Sequence, residues 1–258
     1  MTWELSLTGL LIGLLVGMTG MGGGSLMTPI LILVFDFNVV LAVGTDILHG
    51  AIFKTIGAAR HRVLGNVHAR LALWLALGSV PASVAGVYVV ELLEARYGEE
   101  VNEIASRILG VALVLGGVGF FAKTFIHTRP VDDSPYRLTN RDRILAFVIG
   151  VTGGFVLGLT SVGSGTFFGL MLLLLFPLTA PKIVGTDLFH AAILLWAAGL
   201  AHLSADNVDL NATAWLALGS IPGILIGSQL TVRLPERAIR VSLATVLFLA
   251  GVRLAVPG

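Results

Sequence analysis

A seven-residue string, VGTDILH at 43–49, returns as VGTDLFH at 184–190, and the interval of 141 residues recurs along the chain. Gly17 and Gly158, Thr19 and Thr160, Gly22 and Gly163, and Gly24 and Gly165 keep it, as do His61 and His202, Asn66 and Asn207, and Trp74 and Trp215. LGSVP ending at Pro81 returns as LGSIP ending at Pro222. Roughly seventy residues align without a gap, a period that must be read before any single element. The chain divides into homologous halves, 1–126 and 141–258, joined by a polar, proline-bearing linker at 127–140.

Each half is built for lipid. Of the 258 residues, 56% are hydrophobic and 12% charged, and the mean hydropathy is +0.94. A water-facing surface carries about twice that charge, and apolar runs near the length of a bilayer crossing recur. The fold class is therefore an all-α integral membrane protein with many crossings. The net charge of +1 comes without a basic block, so nucleic acid is not a partner. The absence of cysteine excludes disulfides, thiolate chemistry and Cys-ligated metal. The opening MTWELSL has an acid and no Lys or Arg before its apolar stretch, unlike a cleaved signal peptide, and is expected to belong to the fold.

Apolar segments fall near 5–20, 22–35, 40–60, 70–90 and 105–126, and again near 142–160, 165–177, 183–203, 211–232 and 238–256. The flanking charges reverse between the halves. The loop at 60–70 carries Arg60, Arg62 and Arg70, whereas its repeat carries Asp206 and Asp209. The loop at 91–104 holds five glutamates, whereas its repeat holds Arg233, Arg237 and Arg240. Basic loops stay cytoplasmic, so the pattern predicts inverted-topology repeats of five segments each, a plan common in secondary transporters. A rival count takes 5–35 as one kinked span and gives parallel repeats, against the charge rule.

The second segment of each half begins in a stretch no ordinary membrane helix carries. Residues 17–29 read GMTGMGGGSLMTP, with five glycines, and their repeat at 158–167 reads GLTSVGSGTF. Broken or re-entrant first helices are expected there, because irregular backbone survives at membrane depth only inside protein or along a cavity. Gly22, Gly23, Gly24 and Ser25, with Gly163, Ser164, Gly165 and Thr166, offer runs of amides with little side-chain cover. Amides at a helix N-terminus bind anions. The competing reading is glycine-mediated helix packing.

Asp46 and His49, repeated as Asp187 and His190, share one helix face at i, i+3. Ionisable groups within a membrane mark ion or proton paths, and the four are candidates for proton coupling. The alternatives are that the aspartates cap broken helices with the histidines bound to them, or that the four hold a divalent cation. Lys54 lies deep in the same segment, where its repeat is Leu195. It is a candidate counter-charge for substrate, or a partner of Asp46, or a side chain that snorkels outward. Thr45 and Thr186 would add hydroxyls to substrate, while His61 and His202 are expected at the interface. No nucleophile–base pairing or phosphate loop points to an enzyme, and no cofactor is called for.

The glycine-rich first segment, VGTDILHGAIFKTIGAARHRVLGNVHARLA, LGSVPAS and their second-half forms together resemble the sulfite exporter TauE/SafE family of anion permeases over nearly the whole chain. The resemblance implies a multi-pass inner-membrane permease that moves small sulfur-containing or other organic anions, often outward. Its partners would be a small anionic substrate and membrane lipid, with homo-oligomerisation left open. Two departures stand out. An acid common in the family is missing from LGNVHAR, although the second half has it at Asp209, and Asp46 and Asp187 stand where many relatives carry Ser.

Overall fold

The computed structural model describes residues 2–19, 24–125, 136–230 and 236–256. These residues form ten α-helices and no strand. The first half contains α1 (Thr2–Thr19), α2 (Gly24–Leu33), α3 (Val39–Val63), α4 (Ala69–Tyr97) and α5 (Val101–Phe125). The second contains α6 (Asn140–Thr160), α7 (Phe167–Leu175), α8 (Ala180–Ser204), α9 (Leu210–Leu230) and α10 (Glu236–Ala255). Six of them are long and apolar enough to cross a membrane: α3 to α6, α8 and α9. At 10 and 9 residues, α2 and α7 are only about 15 Å long, half a bilayer core.

Local chemistry sets the helix starts. Asn38 caps α3 by accepting from Leu41 N at 2.7 Å. Thr139 and Asp142 form a reciprocal capping box on α6. Asp209 Oδ1 accepts from Ala212 N at 2.9 Å to start α9. At the equivalent point of the first half a histidine does this work: His68 Nδ1 accepts from Leu71 N at 3.2 Å. The other ring nitrogen of His68 donates to the Tyr136 carbonyl at 2.9 Å, tying the linker end to α4. Burial, with Asp142 beside it, pushes the Tyr136 phenol above its ordinary range, so it stays neutral.

Glycines set how the helices pack. Gly9 and Gly13 of α1 press against the carbonyls of Leu216 and Ser220 on α9, and Gly219 and Gly227 of α9 press back on Ser6 and Leu14. Numbers rise together on both helices, so α1 and α9 run parallel. The equivalent pair is α4 with α6, where Gly150, Gly154 and Gly158 meet Leu75, Ser79 and Ser83. Small residues four apart let backbones approach this closely in lipid.

The most buried helices, α3 and α8, pack on one another. Gly199 meets Leu48, Gly50 meets Leu195 and Gly57 meets Leu188, so these two run antiparallel. The pairing of α5 with α10 is also antiparallel, with Gly110 against Gly251 and Gly117 against Ala244. Contacts repeat in exchanged form: Gly44 approaches the Asn207 carbonyl, and Gly185 the Asn66 carbonyl.

Candidate functional site

The site begins where α6 stops. Ser161 takes the left-handed conformation (φ 60°) and its amide closes the helix on Leu157 O at 2.7 Å. Gly163 (φ 139°) and Gly165 (φ 91°) then follow in conformations that L side chains rarely adopt, which explains glycine at both positions. Chain direction recovers when Phe168 N reaches Gly163 O at 3.1 Å, and α7 begins. Among the described residues, the amides of Gly163, Ser164, Gly165 and Thr166 donate to no acceptor. The Thr166 hydroxyl is buried and also without a hydrogen-bond partner. In the first half Gly24 opens α2, and the Ser25 hydroxyl, equivalent to Thr166, is likewise buried and without a hydrogen-bond partner among the described residues. Gly22 and Gly23 lie outside the described residues.

Lys54 reaches this loop from α3. Its side chain is wholly buried and Nζ donates to Ser164 Oγ at 2.5 Å. It neither snorkels outward nor faces lipid, and it is the one buried Lys or Arg among the described residues. Asp187 and Asp46 both lie close enough to act on it electrostatically. Asp46 Oδ2 accepts from the Thr28 hydroxyl at 2.5 Å and from the Ser161 hydroxyl at 2.8 Å. It thereby links α2, α3 and the end of α6. Its Oδ1 is buried with no hydrogen-bond partner among the described residues.

The histidines take other partners. His49 Nε2 lies 2.8 Å from Ser220 Oγ on α9, and His190 Nε2 lies 2.8 Å from Ser79 Oγ on α4. Neither Nδ1 has a hydrogen-bond partner among the described residues, so the i, i+3 spacing does not produce Asp–His hydrogen bonds. No three His, Asp or Glu side chains gather as a metal-holding group among the described residues. The expectation of a four-ligand cation site therefore gains no support.

Thr45 and Thr186 each hold a loop amide. Thr45 Oγ1 accepts from Asp209 N and Thr186 Oγ1 accepts from His68 N, each at 2.9 Å, holding the loops that precede α9 and α4. His202 departs from its expected interfacial place: it is fully buried and donates through Nε2 to the Gly158 carbonyl at 3.0 Å. Sequence reasoning missed Thr28, Ser161, Ser79 and Ser220 as partners of the buried ionisable groups. Ser79 and Ser220 sit in the LGSVP and LGSIP strings, where a hydroxyl repeated inside an apolar run was the available signal.

Comparison with known proteins bears on what this arrangement serves. The model of the family "Sulfite exporter TauE/SafE" matches residues 5–254. The probable membrane transporter protein YjnA of Bacillus subtilis (strain 168) is 38% identical over 256 residues, covering 98% of this chain and 100% of the relative. The probable membrane transporter protein YdhB of the same organism is 21% identical over 244 residues, covering 95% and 96%. No solved structure matches the chain. With its apolar helices and a match over nearly its full length, the chain is a multi-pass membrane protein that belongs to the sulfite exporter TauE/SafE family of membrane transporters.

Proposed function

We propose that this transporter is an exporter of a small sulfur-containing oxyanion, sulfite or an organosulfonate, working as a secondary transporter in the cell's inner membrane. The bond from Lys54 to Ser164 carries the reading. It sets the buried cation beside four consecutive amides that donate to no acceptor among the described residues. Amides at a broken helix add partial positive charge to that of the ammonium group. Ser25 and Thr166 supply further donors from equivalent points of the two halves, and Gly22 and Gly23 would complete the first half's share.

Charge balance supports proton coupling. Lys54 with both Asp46 and Asp187 ionised leaves one net negative charge in the buried cluster. An entering anion would add a second, which is costly at membrane depth. One proton taken up with the substrate removes that excess, and the carboxylates are the groups that receive it. His49 and His190 keep Ser220 and Ser79 as their partners.

The same reading takes residues 1–126 and 141–258 as inverted-topology repeats, with 127–140 as a cytoplasmic linker. Antiparallel packing of α3 on α8 and of α5 on α10 supports inversion. So does the reversal of charge between equivalent loops. The short helices α2 and α7 then start near mid-membrane, with their N-termini facing a shared centre.

The test uses purified protein in vesicles, with sulfite, methanesulfonate, sulfate and divalent metals offered across pH 5 to 8. Thermal stabilisation by sulfite or the sulfonate, and efflux that drives a matching proton movement, is the expected result. Stabilisation by metal alone, or none by any oxyanion, would end this reading.

A further inference from the structure

A cavity of about 280 Å³ lies between α5, α6 and α7, against the amide loop. Its walls are apolar: Leu115 and Gly116 from α5, Val156 from α6, and Val162, Phe167 and Leu170 around α7. Gly163 and Thr166 line it too, so the cavity and the amide run share a wall. Thr152 also lines it, but that hydroxyl already donates to the Val148 and Ile149 carbonyls. Among the described residues that line it, Thr166 therefore has the one unpartnered side-chain hydroxyl, with its residue only 5% exposed.

Water is a poor occupant. By liquid volume the space would take roughly nine molecules, each wanting two to four polar partners. The lining offers one free hydroxyl and the edge of the amide loop. An apolar group satisfies these walls, and a charged head satisfies the loop. Leu115 and Val156 line the cavity and are themselves exposed, so the rim supplies an entrance from the apolar outer surface of α5 and α6.

We propose that this cavity is a subsite for the apolar portion of the transported anion, so that the preferred substrate is an amphiphilic anion: an oxyanionic head on a short alkyl or aryl group. This rests on the oxyanion reading of the amide loop. The head would meet the amides of residues 163–166 and the Thr166 hydroxyl, while the tail lies along Gly116, Val156 and Leu170. Glycine at 116 keeps the space open: a Cβ there would meet only Val162 Cγ1, at 3.6 Å, so a longer side chain can fill the cavity without displacing backbone.

The experiment measures affinity for a homologous series, sulfite, methanesulfonate, propanesulfonate and pentanesulfonate, with the purified full chain. In the unmodified protein each added methylene is expected to tighten binding by about four-fold. In Gly116→Leu, and separately in Val156→Phe, the ratio of pentanesulfonate to sulfite affinity should fall toward one. A flat series in the unmodified protein, with sulfite still bound, overturns the subsite and leaves the oxyanion reading standing. A rising series of equal slope in both variants assigns the gain to detergent or lipid and also overturns the subsite. Binding of no member removes the oxyanion reading itself, and the subsite with it.

Discussion

Lys54 Nζ donates to Ser164 Oγ at 2.5 Å, joining α3 of one half to the amide loop of the other across 110 residues of chain. The lysine breaks the repeat, because its equivalent is Leu195, also buried. Replacing Lys54 with leucine makes the halves alike at this point, and leaves two buried carboxylates without their cation. Loss of one member of a buried charge cluster costs about 3 kcal/mol or more. Lys54→Leu should therefore lower the unfolding midpoint in detergent and abolish stabilisation by sulfite. Adding Asp46→Asn should recover the midpoint and not the sulfite response. Full sulfite response in Lys54→Leu would detach the lysine from binding.

The histidine–serine pairs give a symmetric prediction. Ser220→Ala removes the partner of His49 Nε2, and Ser79→Ala removes that of His190 Nε2. Each change strands a buried ring nitrogen, at about 1–3 kcal/mol. The two single variants should destabilise by similar amounts, and the double variant by their sum, since the pairs share no residue. Calorimetry of the three variants reads this directly, and one silent serine would show that the halves are not energetically equivalent.

The sequence made some of this legible and hid the rest for physical reasons. The constant interval of 141 residues made the two homologous halves legible, and the exchanged contacts follow from it, because two similar chains that pack on one another repeat each contact with partners reversed. The second half's glycine run anticipated the break between α6 and α7, where Gly163 and Gly165 hold positive φ, while most of the first half's run lies outside the described residues. The i, i+3 spacing of Asp46 and His49 misled as to partners. It puts both on one face of α3, yet that face meets several helices, so Asp46 turns to Thr28 and Ser161 and His49 to Ser220. Ser161 was the hardest partner to foresee, since its equivalent is Gly20 and the repeat gives no second copy of its hydroxyl. His202 carried no sign of depth, because its place is decided by the carbonyl at the end of α6.

Close packing at glycine sorts substitutions that look alike on paper. A Cβ on Gly154 would lie 2.4 Å from the Ser79 carbonyl, and one on Gly13 would lie 2.4 Å from the Ser220 carbonyl. Gly13→Ala and Gly154→Ala should each destabilise by about 1–3 kcal/mol, because backbone must move. Gly57 differs: the nearest atom to its Cβ is a Leu188 methyl at 3.5 Å. Gly57→Ala should be neutral or stabilising by up to about 1 kcal/mol through helix propensity. Thermal midpoints of the three variants check both signs together.

The direction of each helix predicts where its loops emerge. Since α3 and α8 run antiparallel, the loop after α3 and the loop after α8 lie at opposite ends of the bundle. The bundle stands across the membrane, so Leu64 and Ser204, exposed at those two helix ends, should face opposite compartments. The absence of native cysteine makes the measurement clean. In right-side-out cells a membrane-impermeant maleimide should label Ser204→Cys and leave Leu64→Cys unlabelled until the membrane is opened. The arginines at 60, 62 and 70 set the sign, because basic loops are retained in the cytoplasm. Labelling of both from one side would mean parallel repeats. The short helices α2 and α7 would then enter from the same face, and their amides could not converge on one anion.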